Sequence, residues 1–210
     1  MAHRFAENAA FAQECATIEE TLRAVPADAW GRPALGEWDL SQLVAHLVRG
    51  AGRVPAYLGQ PVDGEPGVDR VEYWRFDADA ESPGVAQRAI DEAAGVDPAT
   101  WPQRFADTWP AAVAAADEAG PDRILTTFRG PMRLDEYVAT RVLEVVVHHM
   151  DVRAALDLPP VATPAAARLT MAMLEGLLGE PRPRNMGRTR FIQAGTGRIS
   201  VDDPRFPLLR

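Results

Sequence analysis

The stretch Arg141-Val-Leu-Glu144-Val-Val-Val-His148-His149-Met-Asp151 decides how the rest of the chain is read. At roughly 100° per residue of an α-helix, Tyr137, Arg141, Glu144, His148 and Asp151 fall within about one third of the circumference. Val138, Val142, Leu143, Val145, Val146, Met150 and Val152 cover much of the remainder. A helix on a protein surface shows the reverse, a wide polar face with one apolar stripe. A narrow polar stripe on a wide apolar arc therefore predicts a long buried helix, from Leu134 to Leu156, whose ionisable groups face inward.

Glu144 and His148 are four residues apart, so both reach one point in front of the same helix face. A carboxylate and an imidazole at that spacing make half of a metal site, and the missing ligand must come from another helix. The chain has four histidines. His3 sits in the N-terminal tail, and His149 points ~100° away from His148. That leaves His46, in Leu40-Ser-Gln-Leu-Val-Ala-His46-Leu-Val-Arg-Gly. His46, Glu144 and His148, with water at a fourth position, form the open N/O set expected of a catalytic zinc. The same donors also accept iron, nickel or manganese. A ferritin-type di-iron centre needs two Glu-x-x-His pairs, whereas Glu-x-x-x-His occurs here once. The His-Glu-x-x-His signature of zinc proteases does not occur.

Composition narrows the classes further. The 210 residues suffice for one substantial core, and 47% apolar with 25% charged residues is ordinary for a soluble protein. A net charge of -8 argues against nucleic acid as the main partner, because phosphate neutralisation needs a basic surface. No stretch approaches the ~20 apolar residues of a membrane span. The N-terminus, Met-Ala-His-Arg-Phe-Ala-Glu, lacks the basic-then-apolar run of a signal peptide, so a cytoplasmic location is expected. The single cysteine, Cys15, rules out an internal disulfide and a cysteine-based structural zinc, and is expected to be buried on the first helix.

Along the chain, Phe11, Cys15, Ile18, Leu22 and Val25 recur at helical spacing and predict a helix from Glu7 to Val25. Asp39 or Ser41 caps the next, Leu40 to Gly52, which carries His46 at the edge of an apolar side made by Leu43, Val44, Leu47 and Val48. Residues 60–82 read as a long Pro/Gly/acid-rich loop of the kind that covers a site. Helices follow from Pro83 to Ala94 and from Pro98 to Ala119. Arg123–Phe128 is short, apolar and extended, Gly130-Pro131 turns the chain, and Thr163 caps a helix from Pro164 to Leu178. The tail alternates in Arg190-Phe-Ile-Gln-Ala and is expected to be non-helical or to pair as a β-hairpin with Ile199-Ser-Val201. The expected architecture is all-α, an up-and-down bundle with an extra C-terminal helix. Residues 1–160 are expected to form the bundle and 161–210 to pack on it without a second domain, as a monomer or a homodimer.

With Trp38-Asp-Leu-Ser-Gln-Leu-Val-Ala-His46-Leu and Thr140-Arg-Val-Leu-Glu144-Val-Val-Val-His148-His-Met-Asp151-Val side by side, the chain resembles the DinB-like four-helix metal proteins, specifically the mycothiol-dependent maleylpyruvate isomerase group. The resemblance covers residues 5 to 160. It implies a DinB-like four-helix bundle in which His46, Glu144 and His148 bind a divalent metal, usually zinc. It also implies mycothiol as a thiol cofactor and a small-molecule electrophile as substrate. Fuller members of that group carry a sterol-carrier-like second domain, and with about 30 residues past the last predicted helix no such domain is expected here.

A metal with an open position strips the proton from a coordinating thiol. The expected function is thus a thiol-dependent transferase or isomerase. The alternatives are a non-catalytic binding or stress-response bundle, and a hydrolase in which the metal-bound water attacks. Asp151 either accepts the second ring proton of His148 or is a surface acid near the helix end. Arg141 either clamps a carboxylate or pairs with Glu144. Tyr137 is read as packing, and Tyr73 and Trp74 either anchor their loop or wall the pocket.

Overall fold

Eight helices and two short hairpins make up the regular structure of the described residues, which are 4–62, 64–75 and 78–209 of the computed structural model. In chain order they are α1 (Ala6–Arg23), the hairpin β1 (Pro33–Leu35) and β2 (Trp38–Asp39), α2 (Leu40–Ala51), α3 (Arg53–Leu58), α4 (Ala78–Ala93) and α5 (Trp101–Ala119). A second hairpin, β3 (Ile124–Thr127) and β4 (Gly130–Arg133), precedes α6 (Leu134–Ala155), α7 (Pro164–Leu178) and α8 (Arg188–Gly195). Helices α1, α2, α5 and α6 form the bundle, with α1 and α2 each packed on both α5 and α6. Helix α4 lies on α2, α7 on α6 and α1, and α8 on α7.

Local sequence explains the elements that carry the site. On α1, Phe11, Cys15, Ile18 and Leu22 are buried at spacings of four and three. Asp39 caps α2: its side chain accepts from the Gln42 backbone N–H, while the Gln42 side chain accepts from that of Asp39. Such a cap is worth about 1 kcal/mol. Leu40, Leu43 and Leu47 are buried, each contributing about 1.5–3 kcal/mol of hydrophobic stabilisation. Helix α6 is buried almost all round from Tyr137 to Val152, as its apolar arc requires, and its polar stripe faces the interior.

Three expectations need correction. Helix α4 begins at Ala78 rather than Pro83. The run after Arg123 is extended, as β3, but the chain turns at Phe128-Arg129 rather than at Gly130-Pro131, which belong to β4 and pair antiparallel with β3, Thr126 opposite Pro131 and Thr127 opposite Gly130. The tail holds α8 in place of a β-hairpin. Phe191, Ile192, Ala194 and Gly195 are buried against α7, and a helix brings them to one side where strand alternation would divide them. The loop before α4 does lie over the site. Asp69 accepts from the backbone N–H groups of Val71 and Glu72, and Arg70 bonds both Glu136 and Glu7, so a 3₁₀ turn at Glu72–Trp74 is held down. No helix of the described residues is long and apolar enough to cross a membrane.

Candidate metal centre

His46 from α2 and Glu144 and His148 from α6 come together across 98 residues of sequence. One ligand atom from each lies within 4.8 Å of the other two, with Glu144 Oε2 3.4 Å from His46 Nε2 and 3.3 Å from His148 Nε2. The two imidazole rings meet edge to face at 4.8 Å, and Trp38 packs 5.1 Å from the His46 ring. His3 lies outside the described residues. His149 faces away from this group into the core, where Nδ1 donates to Glu14 Oε1 at 2.8 Å and Nε2 lies 3.0 Å from Thr21 Oγ1.

Each candidate imidazole has a second contact. His148 Nδ1 donates to Asp151 Oδ2 at 3.0 Å, which leaves Nε2 directed at Glu144. Asp151 is thus not a surface acid; it is 4% exposed. On the other imidazole, Arg49 Nη2 donates to His46 Nδ1 at 2.9 Å, so the proton of the neutral ring sits on Nε2. Arg49 also pairs with Glu92 at 3.1 Å.

The electrostatics follow from these contacts. Burial alone would raise the Glu144 carboxyl, but hydrogen bonds from His148 and His46 and the charge of Arg141 hold it well below the usual carboxylate range. Burial pushes His46 down to about 4, opposed by its hydrogen bond to Glu144. For His148 burial also disfavours the cation, yet hydrogen bonds to Asp151 and Glu144 outweigh it and raise the ring. Asp151 is lowered, because bonds from His148 and Arg198 exceed its burial cost.

A cavity of about 360 Å³ opens beside the three residues, with His46 and Glu144 in its wall. Tyr57, Tyr73, Trp74, Phe128 and Tyr137 supply its aromatic surface, and Arg49, Arg53, Arg88 and Arg141 its cations. Arg141 does not pair with Glu144 as a salt bridge. Its guanidinium donates to Tyr73 Oη at 3.1 Å and to Thr140 Oγ1 at 3.2 Å, and lies 5.0 Å over the Tyr137 ring. The Tyr137 hydroxyl is buried with no hydrogen-bond partner among the described residues. Burial raises its pKa, so it stays a neutral donor at physiological pH.

Sequence reasoning placed His46, Glu144, His148, Asp151 and Arg141 in one region, and the structure brings all five there. It missed Arg49, although its position three residues after His46 on the same helix face was a usable signal. It also missed Phe128 at the hairpin tip and Arg198, for which no local pattern exists.

Two imidazole nitrogens and a carboxylate oxygen around one point fit a divalent ion of the zinc class. The Arg49 donor on His46 Nδ1 opposes ligation through Nε2, since ligation needs the other tautomer.

No curated protein matches the chain. Among solved structures, the mycothiol-dependent maleylpyruvate isomerase aligns with a TM-score of 0.55 at 18% identity, covering 80% of this chain and 66% of that one. A histidine-to-alanine mutant of the mycothiol-dependent maleylpyruvate isomerase aligns at 0.54 and 17% identity with the same coverage. The likeness establishes a shared DinB-like fold, and this chain spans a little under two thirds of the length of those proteins. The family model described as the mycothiol maleylpyruvate isomerase N-terminal domain matches residues 11–153, which include all three candidate ligands. The chain belongs to the mycothiol maleylpyruvate isomerase N-terminal domain family.

Proposed function

We propose that the chain is a divalent-metal enzyme in which His46, Glu144 and His148 hold the ion, zinc by preference, and a low-molecular-weight thiol adds to a small electrophile. The observation that carries this reading is the convergence of three ligand atoms within 4.8 Å beside a cavity that also presents a buried guanidinium. Mycothiol is the thiol that the family suggests. Residues 1–160 form the metal-binding bundle, and 161–210 support it from the same chain.

A divalent ion held by His46, Glu144 and His148 would supply Lewis acidity, lowering the pKa of a coordinated thiol or water. The protein does the rest. Asp151 keeps the Nδ1 proton of His148, so that Nε2 offers its lone pair. Glu144, held ionised, adds a hard anionic donor. Arg141, which makes no salt bridge to a carboxylate among the described residues, and the Tyr137 hydroxyl bind and orient an anionic group of the substrate. The aromatic wall limits water around the reacting atoms.

For an enedione or similar conjugated electrophile, the thiolate sulfur bonds to one alkene carbon and the π pair moves onto the carbonyl oxygen as an enolate. Rotation about the new single bond, then expulsion of the thiolate as the double bond re-forms, returns the geometric isomer with no net consumption of thiol. Protonation of the enolate instead gives the S-adduct. Isomerase and transferase outcomes thus share the first step.

The test is turnover of an electrophile panel with thiol and metal each supplied or withheld. Dependence on both supports the proposal. Turnover with metal but without thiol would identify a hydrolase, and saturable binding without turnover a binding module.

A further inference from the structure

The C-terminal segment reaches the candidate metal centre through one side chain. Arg198 lies just beyond α8, and its guanidinium meets Asp151 as a fork: Nε donates to Oδ1 at 3.1 Å and Nη2 to Oδ2 at 2.8 Å. The same Oδ2 accepts from His148 Nδ1 at 3.0 Å. The remaining Arg198 nitrogen, Nη1, donates to the Thr196 carbonyl at 2.7 Å, and the Arg198 backbone N–H donates to that of Gln193 at 2.8 Å. The arginine is therefore fixed to its own turn before it touches Asp151. That turn is itself packed down. A Cβ on Gly195 would come within 3.1 Å of Leu174 on α7, and the Leu208 N–H donates to the Gly195 carbonyl.

We propose that Arg198 is a positioning residue of the metal centre, holding the Asp151 carboxylate in one plane so that His148 keeps the ring orientation and tautomer needed for ligation through Nε2. The physical reason lies in the aspartate torsion. Rotation of a carboxylate about its terminal bond is broad and weakly restrained, and a single hydrogen bond from His148 leaves it free to swivel. A planar guanidinium engaging both oxygens removes that freedom. Asp151 is 4% exposed, so water cannot substitute readily for the lost donors. The relay runs from Arg198 to Asp151 to His148, and it makes residues beyond α7 part of a site whose ligands all lie before residue 149. Its metal arm rests on the ligand assignment proposed above; its imidazole arm does not.

The experiment compares wild type with Arg198→Met, Arg198→Lys and Asp151→Asn in the full chain. Zinc affinity is read by competition with a chromophoric chelator, and the melting temperature by circular dichroism. In the metal-free protein, at a pH where the ring is neutral, the ¹⁵N shifts of His148 report its tautomer. Arg198→Met is expected to weaken zinc binding about 10-fold, within the range for lost outer contacts of a metal ligand, and to mix the two His148 tautomers. Arg198→Lys keeps the charge but not the fork. It is expected to recover the melting temperature while leaving most of the affinity loss. Asp151→Asn combined with Arg198→Met should cost little more than either change alone.

A folded Arg198→Met with wild-type zinc affinity and a wild-type tautomer overturns the proposal. So does full recovery of affinity by lysine, which would make Arg198 a simple counter-charge. If wild type itself takes up no zinc, the ligand assignment fails, and the tautomer comparison alone decides the role of Arg198.

Discussion

The Arg141 guanidinium lies 5.0 Å over the ring of Tyr137, one helical turn earlier on α6, yet the hydroxyl of that tyrosine has no hydrogen-bond partner among the described residues. A buried cation and a buried donor line one cavity, the pairing that the proposed binding of an anionic substrate group calls for. Tyr137→Phe removes an unsatisfied polar atom and is expected to leave the melting temperature unchanged or slightly higher. For an anionic substrate the same change should raise KM about 10-fold, the worth of a hydrogen bond to a charged group. Arg141→Met should raise KM further. Equal KM values for charged and neutral substrates in both variants would remove the subsite.

Metal content is the most direct check on the ligands. Protein purified without an affinity metal is expected to hold about one equivalent of a transition metal by elemental analysis. His148→Ala and Glu144→Gln should hold far less. Stripping the wild type with a chelator should lower the melting temperature, since an ion at 100 times its Kd contributes about 2.7 kcal/mol and each kcal/mol moves a protein of this size by about 2–4 °C. His148→Ala should show no such shift.

Arg49 opposes the centre it borders. Its donor on His46 Nδ1 favours the tautomer that cannot ligate through Nε2, and its charge repels a cation. Arg49→Met is therefore expected to tighten zinc binding about fivefold, equivalent to about 1 kcal/mol of relieved repulsion. A weaker Kd in that variant would show instead that Arg49 orients His46 productively.

His149, next in sequence to a candidate ligand, has a different job. It and Glu14 are both 0% exposed, and Glu14 also accepts from the Thr163 backbone N–H at 2.7 Å, tying α1 and α6 to the start of α7. His149→Ala leaves that carboxylate short of a buried partner and should cost about 3 kcal/mol of stability. Denaturant unfolding measures it, and metal stoichiometry should not change.

Gly176 on α7 sets how closely the site's covering loop can approach. A Cβ there would meet Val71 Cγ2 at 2.6 Å, and a β-branched neighbour beside the 3₁₀ turn has little room to yield. Gly176→Ala is expected to destabilise by about 1–3 kcal/mol through overpacking. It should also raise KM by loosening Tyr73 and Trp74. A change in stability with an untouched KM would separate the loop's anchoring from the cavity.

The sequence by itself determined the elements whose signals are local. Helix α7 spans Pro164–Leu178 as its Pro164 and Gly179 signals required, although the Thr163 side chain makes no capping hydrogen bond; Asp39, one of the two cap residues the sequence allowed, caps α2, and the narrow stripe on α6 faces the interior. Periodicity and capping act over one or two turns, so the residues that carry them are neighbours in the chain. The convergence of His46 with Glu144 and His148 was also readable, because the apolar arcs left one direction for the polar groups to point and the histidines were few. Only the tertiary structure decided what those groups touch. Whether Arg141 meets Glu144 or Tyr73, whether Arg49 reaches His46, and that Arg198 clamps Asp151 from 47 residues away all depend on how helices and loops pack. The same holds for α8, where burial of Phe191 and Ile192 against α7 overrode a strand-like alternation. Side-chain partners are selected by packing over long separations, and a one-dimensional pattern carries no record of them.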